Sequence, residues 1–410
     1  MKKIILILFC CFALVSCGSD KKYAPKEGRV SVFESSDVVS VKGEVKLDKA
    51  IVVEDWKMPL SNLQNKLPNM LVNQAAREIW DEKISKNSAS ENRALPTPLI
   101  IADDLYVLDH AYTLTKMSVQ SGIVKWQKQL SEGKVGLSLI YTQNKVFALS
   151  AEGMLVAMSE EGEELWKKDF NVAMRAPLAA DKNALYLITA HNEFIVLNSK
   201  NGKEIWRYQT VKPHTWLTKM APAAKAQNVV VVPFATGEVI AFDADSGLLL
   251  WIQMMIGDRP QDLVEVPQIV SAPIISDGVV YLVGNANLSG AYDLKTGSTK
   301  WVAPVGSIVT PILSGNALFV INNQNKLMAL EKKTGKVFWE QEMPDDSKGV
   351  WRDLLLINNE LILQNDELWV FVEPRTGVVK RVKKQKTAAL PVTVHGHLLT
   401  IDAKMNALYY

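Results

Sequence analysis

Short β-rich apolar runs separated by turn residues recur through the chain, at a spacing that suits antiparallel meanders and not helices. One unit shows the pattern: Ala176-Pro177-Leu178, a turn at Asp181-Lys182-Asn183, an apolar run at 184–188, a turn at His191-Asn192, a run at 194–197, then Asn201-Gly202 and Ile205-Trp206. The same sketch fits residues 272–301, with a turn at Asp277-Gly278, and residues 310–339, with a turn at Gly315-Asn316. Sustained helical periodicity is missing from these units.

The units repeat. Each ends in Gly, three residues, then Trp: Gly122 to Trp126, Gly162 to Trp166, Gly202 to Trp206, Gly247 to Trp251, Gly297 to Trp301 and Gly335 to Trp339. A seventh copy, Gly377, ends in Arg381. The steps between the final positions are 40, 40, 45, 50, 38 and 42 residues, the length of one four-stranded propeller blade. The Gly supplies the positive φ of a tight hairpin. The Trp is expected to pack between blades, since regularly spaced aromatics are more often core than ligand platform.

After Arg381 the chain supplies three strands, at 390–394, 397–401 and 406–410, and stops. A blade lacking one strand would leave edge groups unpaired. The missing strand is predicted upstream at Arg77-Glu78-Ile79-Trp80, which ends in Trp without a preceding repeat of its own. Counting Trp80 with the six repeats and Arg381 predicts an all-β fold, an eight-bladed propeller closed by an N-terminal strand in its last blade. Seven blades would follow if one unit were degenerate.

The N-terminus changes the picture of where this ring works. Lys2 and Lys3 precede twelve apolar residues, 4–15, and then Ser16-Cys17, the layout of an export signal too short to cross a bilayer. Residues 1–16 are therefore expected to be a signal peptide, 17–55 a tether and N-terminal extension, and 56–410 the propeller. Cys10, Cys11 and Cys17 are the only cysteines, so the body is held without disulfides and has no thiolate nucleophile or cysteine metal site. Losing Lys2 and Lys3 with the signal takes the formal charge from +2 to zero, which gives no basic field for nucleic acid.

Candidate chemistry is sparse. There is no Gly-rich phosphate loop, no nucleophile elbow and no His-Glu-x-x-His, so no catalytic residue and no metal ligand is assigned. His395-Gly396-His397 could bind a metal weakly, but it fills the slot of a hairpin turn. The basic run Lys380, Arg381, Lys383, Lys384 and Lys386 reads as a solvated sheet edge, with anionic lipid as the lesser alternative. Two connections are unusually long: 210–220, with Trp216-Leu217, and 256–270, with Asp258, Arg259, Asp262 and Glu265. Loops on a rigid scaffold are where function gathers, and an apolar pair beside charges has the composition of an interface anchor, with Trp216 folded under its own loop as the equal alternative.

The repeat ending resembles that of the pyrroloquinoline quinone (PQQ) dehydrogenase propellers. Leu14-Val15-Ser16-Cys17 resembles the lipobox of bacterial lipoproteins, whose Cys is acylated, and Gly18 in place of Asp implies the outer membrane. Together they resemble the BamB family, the lipoprotein component of the outer-membrane β-barrel assembly (BAM) machinery. That resemblance implies a non-catalytic scaffold without a cofactor, anchored through Cys17 on the periplasmic face. Its implied partners are the periplasmic domains of the barrel insertase and unfolded outer-membrane proteins. Family contacts map onto Trp216, Leu217 and Lys219 before Ala221-Pro222, and onto Asp262 and Glu265, although the family Arg is out of register and the acids are spaced differently. The alternatives are a PQQ-dependent dehydrogenase, disfavoured by the lack of adjacent cysteines in the mature chain and of an identifiable calcium cluster, and a carbohydrate- or cell-wall-binding propeller.

Overall fold

The computed structural model describes residues 40–73, 78–87, 94–213, 220–255, 271–344 and 350–410. These form thirty-two strands in eight four-stranded antiparallel sheets, an eight-bladed β-propeller. No helix occurs among the described residues. Blades 1 to 7 are each four consecutive strands, β2–β5 (residues 99–129), β6–β9 (136–169), β10–β13 (179–209), β14–β17 (224–254), β18–β21 (274–303), β22–β25 (312–342) and β26–β29 (353–384).

Blade 8 is composite. Strands β30 (Val392–Val394), β31 (His397–Ile401) and β32 (Asn406–Tyr409) are completed by β1 (Trp80–Lys83), which pairs with β32 from Trp80↔Tyr409 to Lys83↔Asn406. The closing strand begins where the sequence reading ended it. Residue 77 lies outside the described residues, Ile79 donates its N–H to the Tyr409 carbonyl, and the ladder runs on through Asp81 and Glu82. The reason is register: Trp80 takes the place Trp206 takes in blade 3, and pairing extends beyond that residue in both.

Each hairpin-linked outer strand carries a bulge one residue before its Trp or Arg, for example at 205 between Val196↔Trp206 and Leu197↔Glu204. The extra residue bends the strand and increases local twist, as an outermost strand on a curved rim requires. The inner hairpins turn on paired left-handed residues, such as Asp277 at φ 55° with Gly278 at 74°. The His395-Gly396 pair has the same geometry, 53° and 79°. His397 instead turns its ring to the chain end, with Nδ1 2.7 Å from the Tyr410 carbonyl.

Apolar side chains gather between blades. Separate clusters join blades 1 and 2, 2 and 3, 3 and 4, 4 and 5, and 5 and 6. The largest spans blades 6, 7, 8 and 1 and takes in Trp56, Leu67 and Met70 from the segment before the first blade.

Candidate interaction surfaces

The repeated Gly and Trp form a fastener between neighbouring blades. Each indole lies on the hairpin Gly of the next blade: Trp80 on Gly122, Trp126 on Gly162, Trp166 on Gly202, Trp206 on Gly247, Trp251 on Gly297, Trp301 on Gly335 and Trp339 on Gly377. A Cβ at Gly335 would stand 2.4 Å from the Trp301 ring, so only Gly admits this approach. Six of the seven indole N–H groups also donate to a carbonyl of that hairpin at 2.8–3.1 Å, from Trp80 to Val119 through Trp339 to Pro374. Trp166 lies on Gly202 with its buried N–H unpaired.

Arg381 breaks the series for a structural reason. Its junction leads to blade 8, where the hairpin that would carry the Gly does not exist because β32 and β1 come from opposite ends of the chain. The guanidinium folds onto its own blade, 3.7 Å above the Phe371 ring, and pairs with Glu360 at 3.0 Å.

The channel along the ring axis is stoppered at one mouth by residues 46–73. The carbonyls of Lys57, Leu63 and Gln64 accept N–H groups from Tyr141, Lys225 and Ile275 on the inner strands of blades 2, 4 and 5. Trp56 exchanges two hydrogen bonds with Ile100 of blade 1, and Met70 bridges Leu356 and Asn358 of blade 7. Val53 and Asn73 bind His395 and Gly396 of blade 8, and Lys46 binds the Asn316 side chain of blade 6. These bonds occupy inner-strand edges that would otherwise be unpaired. Buried Asn65 sends its amide to the carbonyls of Ala223 and Pro273 at 3.3 and 3.1 Å. Gly315 is required here: a Cβ on it would stand 1.9 Å from the Lys46 carbonyl oxygen. No sequence motif marked this stopper.

Beside it, Asp181 and Lys225 form an ion pair between blades 3 and 4, and the Tyr186 hydroxyl donates to the carboxylate at 2.9 Å. Burial alone would raise the Asp181 pKa. Hydrogen bonds from Lys225 and from the Asn183 and Ala184 amides outweigh it and hold the carboxyl below its ordinary value. The Tyr186 hydroxyl, buried and next to that charge, is pushed well above its ordinary value.

The residues expected from sequence to bind partners, Trp216, Leu217, Lys219, Asp262 and Glu265, and the acylation candidate Cys17, lie outside the described residues. Connectivity still relates the first five. Residues 214–219 precede the inner strand of blade 4 and residues 256–270 follow its outer strand, so both connections bracket one blade.

A family model described as outer membrane protein assembly factor BamB matches residues 134–341. The BamB of Nitrosomonas eutropha is 23% identical over 235 residues, 56% of this chain and 55% of that protein, so the match spans about half the length of that relative. Among solved structures, BamB from Moraxella catarrhalis is similar with a TM-score of 0.68 at 16% identity, covering 81% of this chain and 98% of that one. A quinohemoprotein alcohol dehydrogenase from Comamonas testosteroni is similar at 0.67 and 12% identity, covering 88% and 80%. At these identities the likeness is one of fold, which proteins of different chemistry share.

Proposed function

The chain belongs to the family of outer membrane protein assembly factor BamB, and from that premise we propose that it is a non-catalytic scaffold of the outer-membrane β-barrel assembly machinery. In this reading Cys17 is acylated and holds the ring at the periplasmic face of the outer membrane. The connections bracketing blade 4 bind the insertase's periplasmic domains and help deliver unfolded barrel proteins.

The stoppered axis is the observation that carries the non-catalytic part. A propeller enzyme that works at its axis needs inner-strand groups free to hold a ligand, whereas here residues 53–73 hydrogen-bond to blades 1, 2, 4, 5, 7 and 8 at that mouth. A long connection on a rigid ring suits a binding role better.

Photocrosslinking in cells from residue 216 or 262 tests the reading. Capture of the barrel insertase supports it, and capture of no machinery component from either position refutes it. Calcium- and quinone-dependent dye reduction by the purified chain would establish the dehydrogenase instead.

A further inference from the structure

The eight outer strands occupy equivalent places on the rim, so each is a control for the others. Three positions alternate along the exposed side of each, beginning at the residue before the Trp or Arg. In seven blades a charge stands at one or two of these positions, among them Lys125, Lys167, Arg207, Lys300, Glu340, Lys384 and, in blade 8, Asp81. Charges of this kind keep an open sheet edge from pairing with foreign strands.

Blade 4 alone has none. Its outer strand β17 (Leu249–Met254) reads Leu-Leu-Trp-Ile-Gln-Met, and Leu250, Ile252 and Met254 are 38%, 46% and 47% exposed at the three positions. Leu248 and Leu249 extend the apolar strip. The main chain faces outward at the same residues. Met255 donates its N–H inward to Gly237, so by the alternation of an antiparallel ladder Ile252 and Met254 point their N–H and C=O groups away from the blade.

We propose that the outer edge of blade 4 is a docking edge for an extended, uncharged polypeptide strand of alternating apolar residues, added antiparallel or parallel to β17. The occupant follows from the edge. Unpaired peptide groups at every second residue call for an extended backbone, and apolar side chains at the same period call for a partner with the same alternation and no charge on that face. The membrane-facing strand of an unfolded outer-membrane barrel has that chemistry. This deepens the assembly reading and rests on it, placing client capture on the blade that the two long connections bracket.

The test uses the mature chain and a fluorescein-labelled decapeptide alternating valine or tyrosine with serine or threonine, read by anisotropy. Ile252→Lys with Met254→Lys restores the charge the other blades carry and is expected to raise Kd at least tenfold. Ile252→Pro removes an outward N–H and one apolar side chain without breaking a ladder bond and is expected to weaken binding as well, whereas Ile205→Lys on blade 3 leaves it unchanged. Hydrogen exchange of the unsubstituted chain with and without peptide gives a readout independent of variant folding, with slowed exchange expected at 250–254. Equal affinity across the variants, or unslowed exchange there, overturns the proposal. So does sedimentation showing a dimer that Ile252→Lys with Met254→Lys dissolves, because the occupant would then be a second copy. Insertase capture from residue 216 alongside a failed peptide test leaves the scaffold reading standing and removes only the docking edge.

Discussion

Truncating one fastener separates a ring held by indole–glycine docking from one held by blade cores alone, and Trp301→Ala is the sharpest case. The ring is 7% exposed, lies on Gly335 and donates to the Lys332 carbonyl at 3.0 Å. An aromatic of this size removes about 200 Å² from water, worth about 5 kcal/mol at about 25 cal/mol/Å² as an upper bound. Measured aromatic-to-Ala truncations run about 3–5 kcal/mol. A loss of about 4 kcal/mol is therefore expected; the hairpin carbonyl, near solvent, recovers its bond from water. Arg381→Ala is the matched control at the junction without a fastener. There an exposed cation–π contact and a surface ion pair contribute about 0.5–1 kcal/mol each. Urea unfolding followed by far-UV circular dichroism reads both, and at an m of about 3 kcal/mol/M the Trp variant's midpoint falls by about 1.3 M. Equal midpoint shifts for the two variants would refute the fastener.

Three further outcomes follow from the same contacts. Deleting residues 406–410 strips β32 from between β31 and β1 and is expected to abolish the single cooperative urea transition; an unchanged transition would count against closure by the chain ends. Gly315→Ala places a methyl against the Lys46 carbonyl at a residue with φ 57°, so hydrogen exchange at Lys46 and Asp48 is expected to accelerate while the strands of blade 3 stay protected. Asp104 and Asp181 are held below their ordinary pKa: burial opposes this, but Lys116 and Lys125 beside Asp104 and Lys225 beside Asp181 prevail. Their contribution is complete above the unfolded value of about 3.9 and is lost as pH falls through the lower folded values. Acid unfolding of an Asp104→Asn, Asp181→Asn double variant should thus depend less steeply on pH below about 4 than that of the parent chain.

The ring was legible because its determinants are local and repeated. Gly in a hairpin and Trp four residues on recur at blade spacing, so Trp80 without its own repeat and three orphan strands at the end pointed to each other. Arg381 was legible only as an exception; its reason, a blade 8 with no outer hairpin, emerges once β32 and β1 are seen to meet. Residues 46–73 were not legible at all. Trp56, Leu60, Leu63, Leu67 and Met70 follow a three-and-four spacing suggestive of a helix, yet Pro59 and Pro68 interrupt it, and peptide groups between them bond to blades more than a hundred residues away. Such a segment takes its conformation from the channel it fills. The rim of blade 4 was hidden for the opposite reason: Leu250, Ile252 and Met254 read as ordinary strand residues until seven equivalent strands show charge in their place.

The assembly role is tested most directly by quantifying folded barrel proteins in the outer membrane of cells lacking this chain, with and without its re-expression. A reduced complement that the intact chain restores and a Cys17→Ala chain restores poorly is the expected result. A full complement of assembled barrels without the chain would contradict it.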